Sequence, residues 1–189
     1  MKCAVISLVL LFAFTAYGAE SIPHWQVIPD KSNIEWTASY SGKPIKGQFP
    51  AFESDIAFDP THLDKSYVKV QLELGKLKSQ DKDAMQNLPT KEWFFVDKYP
   101  LAVFAVKEFI HLQGDNYEAH GMLTIKGKEI KVNLPFTVKF LNDNSDAVIN
   151  GETTIKRLDF GIGEGEWATT NPLADEVKLA IHIEAKQMQ

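Results

Sequence analysis

Arg157 is the residue best suited to special chemistry, because it is the only arginine among the 20 lysine and arginine residues of the chain. A guanidinium group presents five N–H donors in a flat, rigid fork, which an ammonium group does not. Asp159 would lie on the same face of a continued strand and could accept hydrogen bonds from that fork. The sequence favours a structural role, in which Arg157 binds Asp159 or main-chain carbonyls. The alternatives are that Arg157 contacts a ligand directly or that it has no special role.

Glu164 and Glu166 are the best candidates for catalysis, because they share one side of the chain if their loop is extended. Paired carboxylates that flank a sugar can hydrolyse a glycosidic bond, and Asp159 lies just upstream. Trp167 alone is weak support for a sugar-binding cleft. We therefore favour solvated loop charges and keep a small enzyme acting on glycan or lipid as an alternative.

Other familiar site patterns are not found in the sequence. The histidines share no metal-ligand spacing, so we predict no metal site. No Gly-x-Ser-x-Gly sequence marks a serine hydrolase. Gly161, Gly163 and Gly165 alternate after a strand and do not open a helix, which indicates a bend at a barrel rim and not a dinucleotide-binding loop. The histidines are His24, His62, His111, His120 and His182.

The first residues are typical of an export signal. A short basic end at Lys2 precedes an apolar run over 4–14 that is too short to span a bilayer. Small residues follow, and cleavage after Gly18 is favoured over cleavage after Ala19. The sequence therefore predicts a signal peptide over 1–18, a single mature domain over 19–189, and a periplasmic location.

The composition of the mature chain bounds its partners. Loss of Lys2 leaves 19 basic residues against 25 acidic ones, a net charge of −6. Without a basic patch, nucleic acid is disfavoured as a partner. No later segment reaches transmembrane length. Cys3 lies within the signal, so the mature domain has no cysteine and must bury its core without a disulfide.

Period-two alternation of apolar and polar residues dominates the mature chain and indicates an all-β fold. Short turn segments link consecutive runs, which favours an antiparallel meander. A sheet this long usually closes, because exposed edges invite aggregation. We predict an extended, up-and-down β-barrel with its apolar face inward, and rank a two-sheet sandwich second. Strands are expected near 24–28, 32–41, 45–49, 52–58, 66–74, 102–112, 116–125, 129–141, 146–156 and 176–186.

One short helical insert interrupts the strands. Ser79 or Asp81 can cap a helix that carries Met85 and Leu88, and Pro89 ends it. The strand that follows is apolar on both faces over 101–106. We expect one of its faces to line the barrel and the other to lie beneath the insert.

Six short motifs follow one another along the mature chain. They are IPDKSNIEW at 28–36, GQFPAF at 47–52, IAFDP at 56–60, KYPLAVF at 98–104, GMLTIKG at 121–127 and IKRLDFG at 155–161. In order and spacing they resemble the YceI-like family of exported, lipocalin-like polyisoprenoid-binding proteins. The resemblance implies a barrel whose lumen holds a long isoprenoid or amphiphilic lipid, and a homodimer. It places Phe49 and Phe52 in a lumen-side motif, and Arg157, Asp159 and Phe160 in a strand-end motif.

Two segments depart from the family pattern. The stretch 82–86 reads Lys-Asp-Ala-Met-Gln where family members often have Arg-Asp-x-His-Leu, and 40–42 reads Tyr-Ser-Gly in place of His-Leu-Gly. If those residues hold a polar head group in some members, this chain prefers another head or none. We assign no head group from the sequence.

Alternation and resemblance together predict a binding protein with a lipid in its lumen, no catalysis and no other cofactor. A filled barrel that serves as an interaction module beside a membrane redox protein is a further alternative. The predicted ligand-binding residues are Trp36, Phe49, Phe52, Val70, Leu72, Phe94, Phe104, Phe136, Val138, Arg157, Phe160 and Trp167.

Overall fold

The computed structural model describes residues 21–188, and the predicted signal peptide lies outside this range. The ten predicted strands are all present, with ends that differ by a few residues at most. One two-residue strand, β6, was not predicted. The strands are β1 (Trp25–Val27), β2 (Asn33–Tyr40), β3 (Lys43–Phe49), β4 (Phe52–Ala57), β5 (Tyr67–Glu73), β6 (Lys78–Ser79), β7 (Leu101–Gln113), β8 (Asn116–Ile125), β9 (Lys128–Leu141), β10 (Asp146–Lys156) and β11 (Glu176–Gln187).

All strands belong to one antiparallel sheet with the order β4-β5-β7-β8-β9-β10-β11-β2-β3-β6. The turns between β2 and β3 and between β8 and β9 each have two residues with positive φ, as in type I′ turns. This turn type matches the twist of the flanking strands and favours tight hairpins. The sheet curls round into the predicted barrel. Within residues 21–188 there is no helix with the length and apolar content that crossing a bilayer requires.

Strand β1 brings the two sides of the curled sheet together. It pairs with β11 on one side, and His24 forms an isolated bridge with Ala57 at the end of β4 on the other. The amide of Phe58 donates to the carbonyl of Pro23 at 3.1 Å, and the indole Nε1 of Trp25 donates to the carbonyl of Phe58 at 3.0 Å. We call this junction the seam. It is held by a few hydrogen bonds and not by a continuous ladder.

Strand β7 contains a β-bulge that changes which side chains point inward. The register with β8 shifts between Val106 and Glu108. Val106 and Phe109 therefore both lie in the buried interior, although strict alternation would place Phe109 outside. Glu108 is turned outward, where its carboxylate lies 3.5 Å from the Nδ1 atom of His120 on β8.

The helical insert forms where it was predicted. Helix α1 (Lys82–Asn87) begins at Asp81, whose Oδ1 accepts a hydrogen bond from the amide of Ala84 at 2.8 Å. Its main contact with a regular element is with β6. The expectation that α1 covers the outer face of β7 is wrong, since Leu101 on that face is 40% exposed. The insert covers the end of the barrel instead.

We expect the pKa of His120 to lie above its ordinary value. The hydrogen bond to Glu118, with Nε2 and Oε1 2.6 Å apart, raises it, partial burial opposes the rise, and the carboxylate of Glu108 adds to it. The protonated ring is the form that these carboxylates favour. Its contribution to stability is therefore complete below the ordinary pKa and is lost as pH rises through the raised value.

A histidine titration by NMR measures this shift. Glu118→Gln should move the pKa of His120 down, whereas Glu129→Gln, on the neighbouring strand β9, should leave it in place. An unchanged His120 titration in Glu118→Gln would contradict the assignment.

Candidate functional site

The barrel encloses an apolar cavity of about 190 Å³ at the end where β1 closes the seam. Its walls come from alternate residues of β4, β5 and β7–β11, and none of the lining residues is exposed at the outer surface. Aromatic rings pack around this end. The ring of Phe58 lies 5.3 Å from that of Phe109, 5.6 Å from that of Tyr117 and 6.1 Å from that of Phe136. We call this space the inner lobe.

A second cavity of about 340 Å³ lies at the opposite end, beneath the helical insert. Apolar residues of β2, β3 and β11 form one wall, and Ala84 and Leu88 close it from above. Tyr40, Asp83 and Asn87 also line it and are exposed, so this space reaches the surface. We call it the outer lobe.

The two lobes meet in the middle of the barrel. Five residues line both, and we call them the waist: Ile34, Leu72, Ala102, Leu123 and Leu179. All five are apolar. The lumen thus consists of two lobes that adjoin at an apolar waist, with polar residues at the rim of the outer lobe.

Eleven of the twelve predicted site residues line this lumen. Phe52, Val70, Phe104, Phe136 and Val138 line the inner lobe, Leu72 lies at the waist, and Trp36, Phe49, Phe94, Arg157 and Trp167 line the outer lobe. Phe160 does not line either lobe. It is 1% exposed and belongs to the packed core, because residues 157–160 form a 3₁₀ turn that carries its ring away from the lumen.

Arg157 holds the loop between β10 and β11. Its Nε donates to Ala174 at 3.0 Å, Nη1 donates to Ile162 and Gly163 at 2.9 and 3.4 Å, and Nη2 donates to Thr169 and Leu173 at 2.7 and 3.2 Å. All five acceptors are main-chain carbonyls. The five donors of the guanidinium are therefore all used.

The sequence left open whether Arg157 binds Asp159 or main-chain carbonyls, and in the structure it binds the carbonyls. Asp159 is exposed and takes no part in these hydrogen bonds, because the 3₁₀ turn ends the strand before Asp159 can share a face with Arg157. Arg157 itself is only 2% exposed. Burial lowers the pKa of its guanidinium, and the nearby carboxylate of Asp175 opposes that change.

The comparisons with known proteins agree with this barrel. The family described as YceI-like domain matches residues 25–185. The chain belongs to the YceI-like family. A UPF0312 protein of Vibrio cholerae is 25% identical over 151 residues, which cover 76% of this chain and 75% of that protein.

Two solved structures are similar in fold to this chain. Burkholderia cenocepacia BcnA is 30% identical, with a TM-score of 0.80, and the match covers 85% of this chain and all of that one. A polyisoprenoid binding domain from Saccharophagus degradans, implicated in plant cell wall breakdown, has a TM-score of 0.68 at 10% identity and covers 89% and 100% of the two chains. At that identity the second likeness concerns the fold alone.

The carboxylates of the enzymatic alternative do not form a cleft in this YceI-like protein. Glu164 and Glu166 are exposed and line neither lobe, and residues 165–167 form a turn instead of an extended segment. Glu164 lies 3.5 Å from the Nζ of Lys126. Within residues 21–188, histidine, aspartate and glutamate side chains do not group in threes that could hold a metal ion.

Sequence reasoning missed two parts of the lining. Phe109 was hidden by the bulge in β7, since period two assigns it to the outer face. The polar rim residues Asp81, Asp83 and Asn87 were treated as part of a helix and not of a site. The available signal was that they flank or lie within the stretch 82–86, which departs from the family pattern.

The loop around Arg157 provides a test of the carbonyl clamp. Gly163 has φ +80°, and a Cβ there would lie 2.5 Å from Nη1 of Arg157. Gly163→Ala should destabilise the fold by about 2–4 kcal/mol, because it adds left-handed strain and displaces the guanidinium.

Gly165→Ala is the matched control, since Gly165 also has positive φ but has no atom within 4 Å of its added Cβ. It should cost only about 1 kcal/mol. Chemical denaturation of both variants measures the difference. If both variants lose the same free energy of unfolding, backbone strain alone explains the effect of Gly163→Ala, and the close packing of Gly163 against Arg157 is contradicted.

Proposed function

We propose that this protein is a non-catalytic carrier that holds one long-chain lipid, an isoprenoid or a similar amphiphile, in the barrel lumen. The observation that supports it is a pair of largely apolar lobes that share five lining residues in the middle of the barrel. Its inner lobe is lined by apolar side chains apart from the hydroxyls of Ser54 and Thr153. The Thr153 hydroxyl donates to the carbonyl of Asn133 at 2.9 Å, which leaves little for a polar ligand to bind.

The shape of the lumen suits a chain better than a compact ligand. Its lining runs along β11 from Val177 in the outer lobe to Ala185 in the inner lobe. This is a strand path of about 26 Å at ~3.3 Å per residue. Burial of about 0.8 kcal/mol per methylene gives a chain of some 20 carbons on the order of 15 kcal/mol before the costs of ordering and association. Tight binding is then possible without a buried ion pair.

The comparisons support the same class of ligand. Membership of the YceI-like family and a neighbour named as a polyisoprenoid binding domain both favour a lipid. The filled-barrel alternative is less well supported, because cavities of about 190 and 340 Å³ lie towards the two ends of the barrel. Export to the periplasm and a homodimer stay predictions of the sequence.

The first experiment identifies what the lumen carries. The exported protein should be purified without detergent and extracted with organic solvent, and the extract should contain a long-chain lipid by mass spectrometry. Reconstitution with isoprenoid quinones, polyprenyl phosphates and fatty amides provides a second route. A protein that yields no lipid and takes up none of these would overturn the proposal.

A substitution at the waist tests where the chain lies. Ala102 is 2% exposed and lines both lobes, so Ala102→Phe should place an aromatic ring where the lobes adjoin. We expect binding of long chains to fall at least tenfold, and that of short chains to fall much less. Ala105→Phe, an outward position on the same strand, is the control and should leave both affinities in place.

The readout is a chain-length series for the native protein and the two variants. Thermal melts show whether each variant is folded. If Ala102→Phe is folded and binds long chains as tightly as the native protein, the ligand does not cross the waist.

A further inference from the structure

The polar side chains of the lumen are concentrated at one end, and this gives a bound amphiphile a direction. In the inner lobe the polar groups are those of Ser54 and Thr153, apart from the indole N–H of Trp25, which donates to Phe58. The polar side chains that line the outer lobe are Tyr40, Asp81, Asp83, Asn87 and Arg157, together with the neutral indole N–H groups of its three tryptophans. An apolar tail therefore belongs in the inner lobe, and a polar head belongs beneath the helical insert.

The one cation among the lining residues is not free to bind a head group. Arg157 is 2% exposed, and its five N–H donors all go to main-chain carbonyls. An anionic head could take one of these donors only by leaving a buried carbonyl without its partner. The guanidinium thus shapes the wall of the outer lobe and is not available to its contents.

The rim of the outer lobe carries acceptors and negative charge. Asp81 uses Oδ1 to cap helix α1, which leaves its other carboxylate oxygen for a donor. Asp83 is exposed, and neither residue is in the ion pairs found between residues 21 and 188. The lysines nearest to them in sequence, Lys78 and Lys82, are exposed and line neither lobe.

From this combination we infer that the lumen selects amphiphiles whose head donates hydrogen bonds and carries no negative charge, and that it rejects anionic heads. An alcohol, an amide or an amine can donate to the aspartates of the rim. A phosphate or carboxylate head meets like charge, with no free cation in the lining to offset it. The inference rests on the proposed lipid-carrier function and adds the chemistry of the head.

A series of ligands with one tail and different heads tests this selection. Hexadecanol, hexadecanamide, hexadecylamine and hexadecyl phosphate are compared by competition against a fluorescent fatty probe at low ionic strength. Trp36, Trp93 and Trp167 line the outer lobe, so their fluorescence gives a second readout. We expect the phosphate to bind at least tenfold more weakly than the alcohol, with a gap that narrows as added salt screens the rim charge.

Substitution at the rim assigns the effect to its residues. In Asp81→Asn/Asp83→Asn the ratio between alcohol and phosphate affinities should shrink by about tenfold or more, because asparagine keeps the helix cap but not the charge. Asp143→Asn removes one charge at the β9–β10 turn and should leave the ratio unchanged. If the double variant does not fold, Asp83→Asn alone is used, since Asp83 is exposed.

The possible outcomes distinguish a failure of this inference from a failure of the proposed lipid-carrier function. If alcohol and phosphate bind equally, or the phosphate binds more tightly, the head selection is wrong while the carrier function stands. If the double variant and Asp143→Asn change the ratio alike, the rim does not cause it, and the inference fails. If none of the four amphiphiles binds, both proposals fail.

Discussion

The open end of the barrel depends on one constraint: every N–H donor of the buried Arg157 guanidinium needs a hydrogen-bond acceptor. A buried cation must have its donors paired, and here the partners are carbonyls of the loop between β10 and β11. The same loop supplies Ile162, Trp167 and Leu173 to the wall of the outer lobe. One side chain therefore fixes both the path of an irregular segment and the shape of the space that it borders. A lysine, with three donors on one nitrogen, could not hold five carbonyls.

Most of the fold was predictable because strands with one dry face carry a strong sequence signal. The alternating apolar residues of β9, from Val132 to Phe140, all line the inner lobe, as period two requires. The prediction was wrong where local geometry breaks that period. A bulge after Val106 brings Phe109 inside, and nothing in the order of apolar residues marks it. The helical insert was predicted from a cap at Ser79 or Asp81, and the cap is Asp81. What the insert covers was not predicted, because that depends on tertiary contacts.

The candidate site was predictable in its apolar part and not in its polar part. Large side chains at alternate positions indicate a lumen, and eleven of the twelve proposed residues line it. Phe160 was misplaced because the strand ends at Lys156, and the following 3₁₀ turn changes the direction of every side chain after it. The rim escaped prediction because Asp81, Asp83 and Asn87 lie on a helix that is remote in sequence from the strands it covers. The departure from the family pattern at 82–86 singles out this helix, but it does not show that the helix lies over a cavity.

The closure of the barrel at the seam depends on few hydrogen bonds. Strand β4 has its full ladder on the side of β5, whereas toward β1 it has one bridge and a few hydrogen bonds. Separating β4 from β1 therefore breaks few interactions, whereas separating β4 from β5 breaks a ladder of six residue pairs. Local opening of the cylinder, short of global unfolding, is therefore expected to begin along this line.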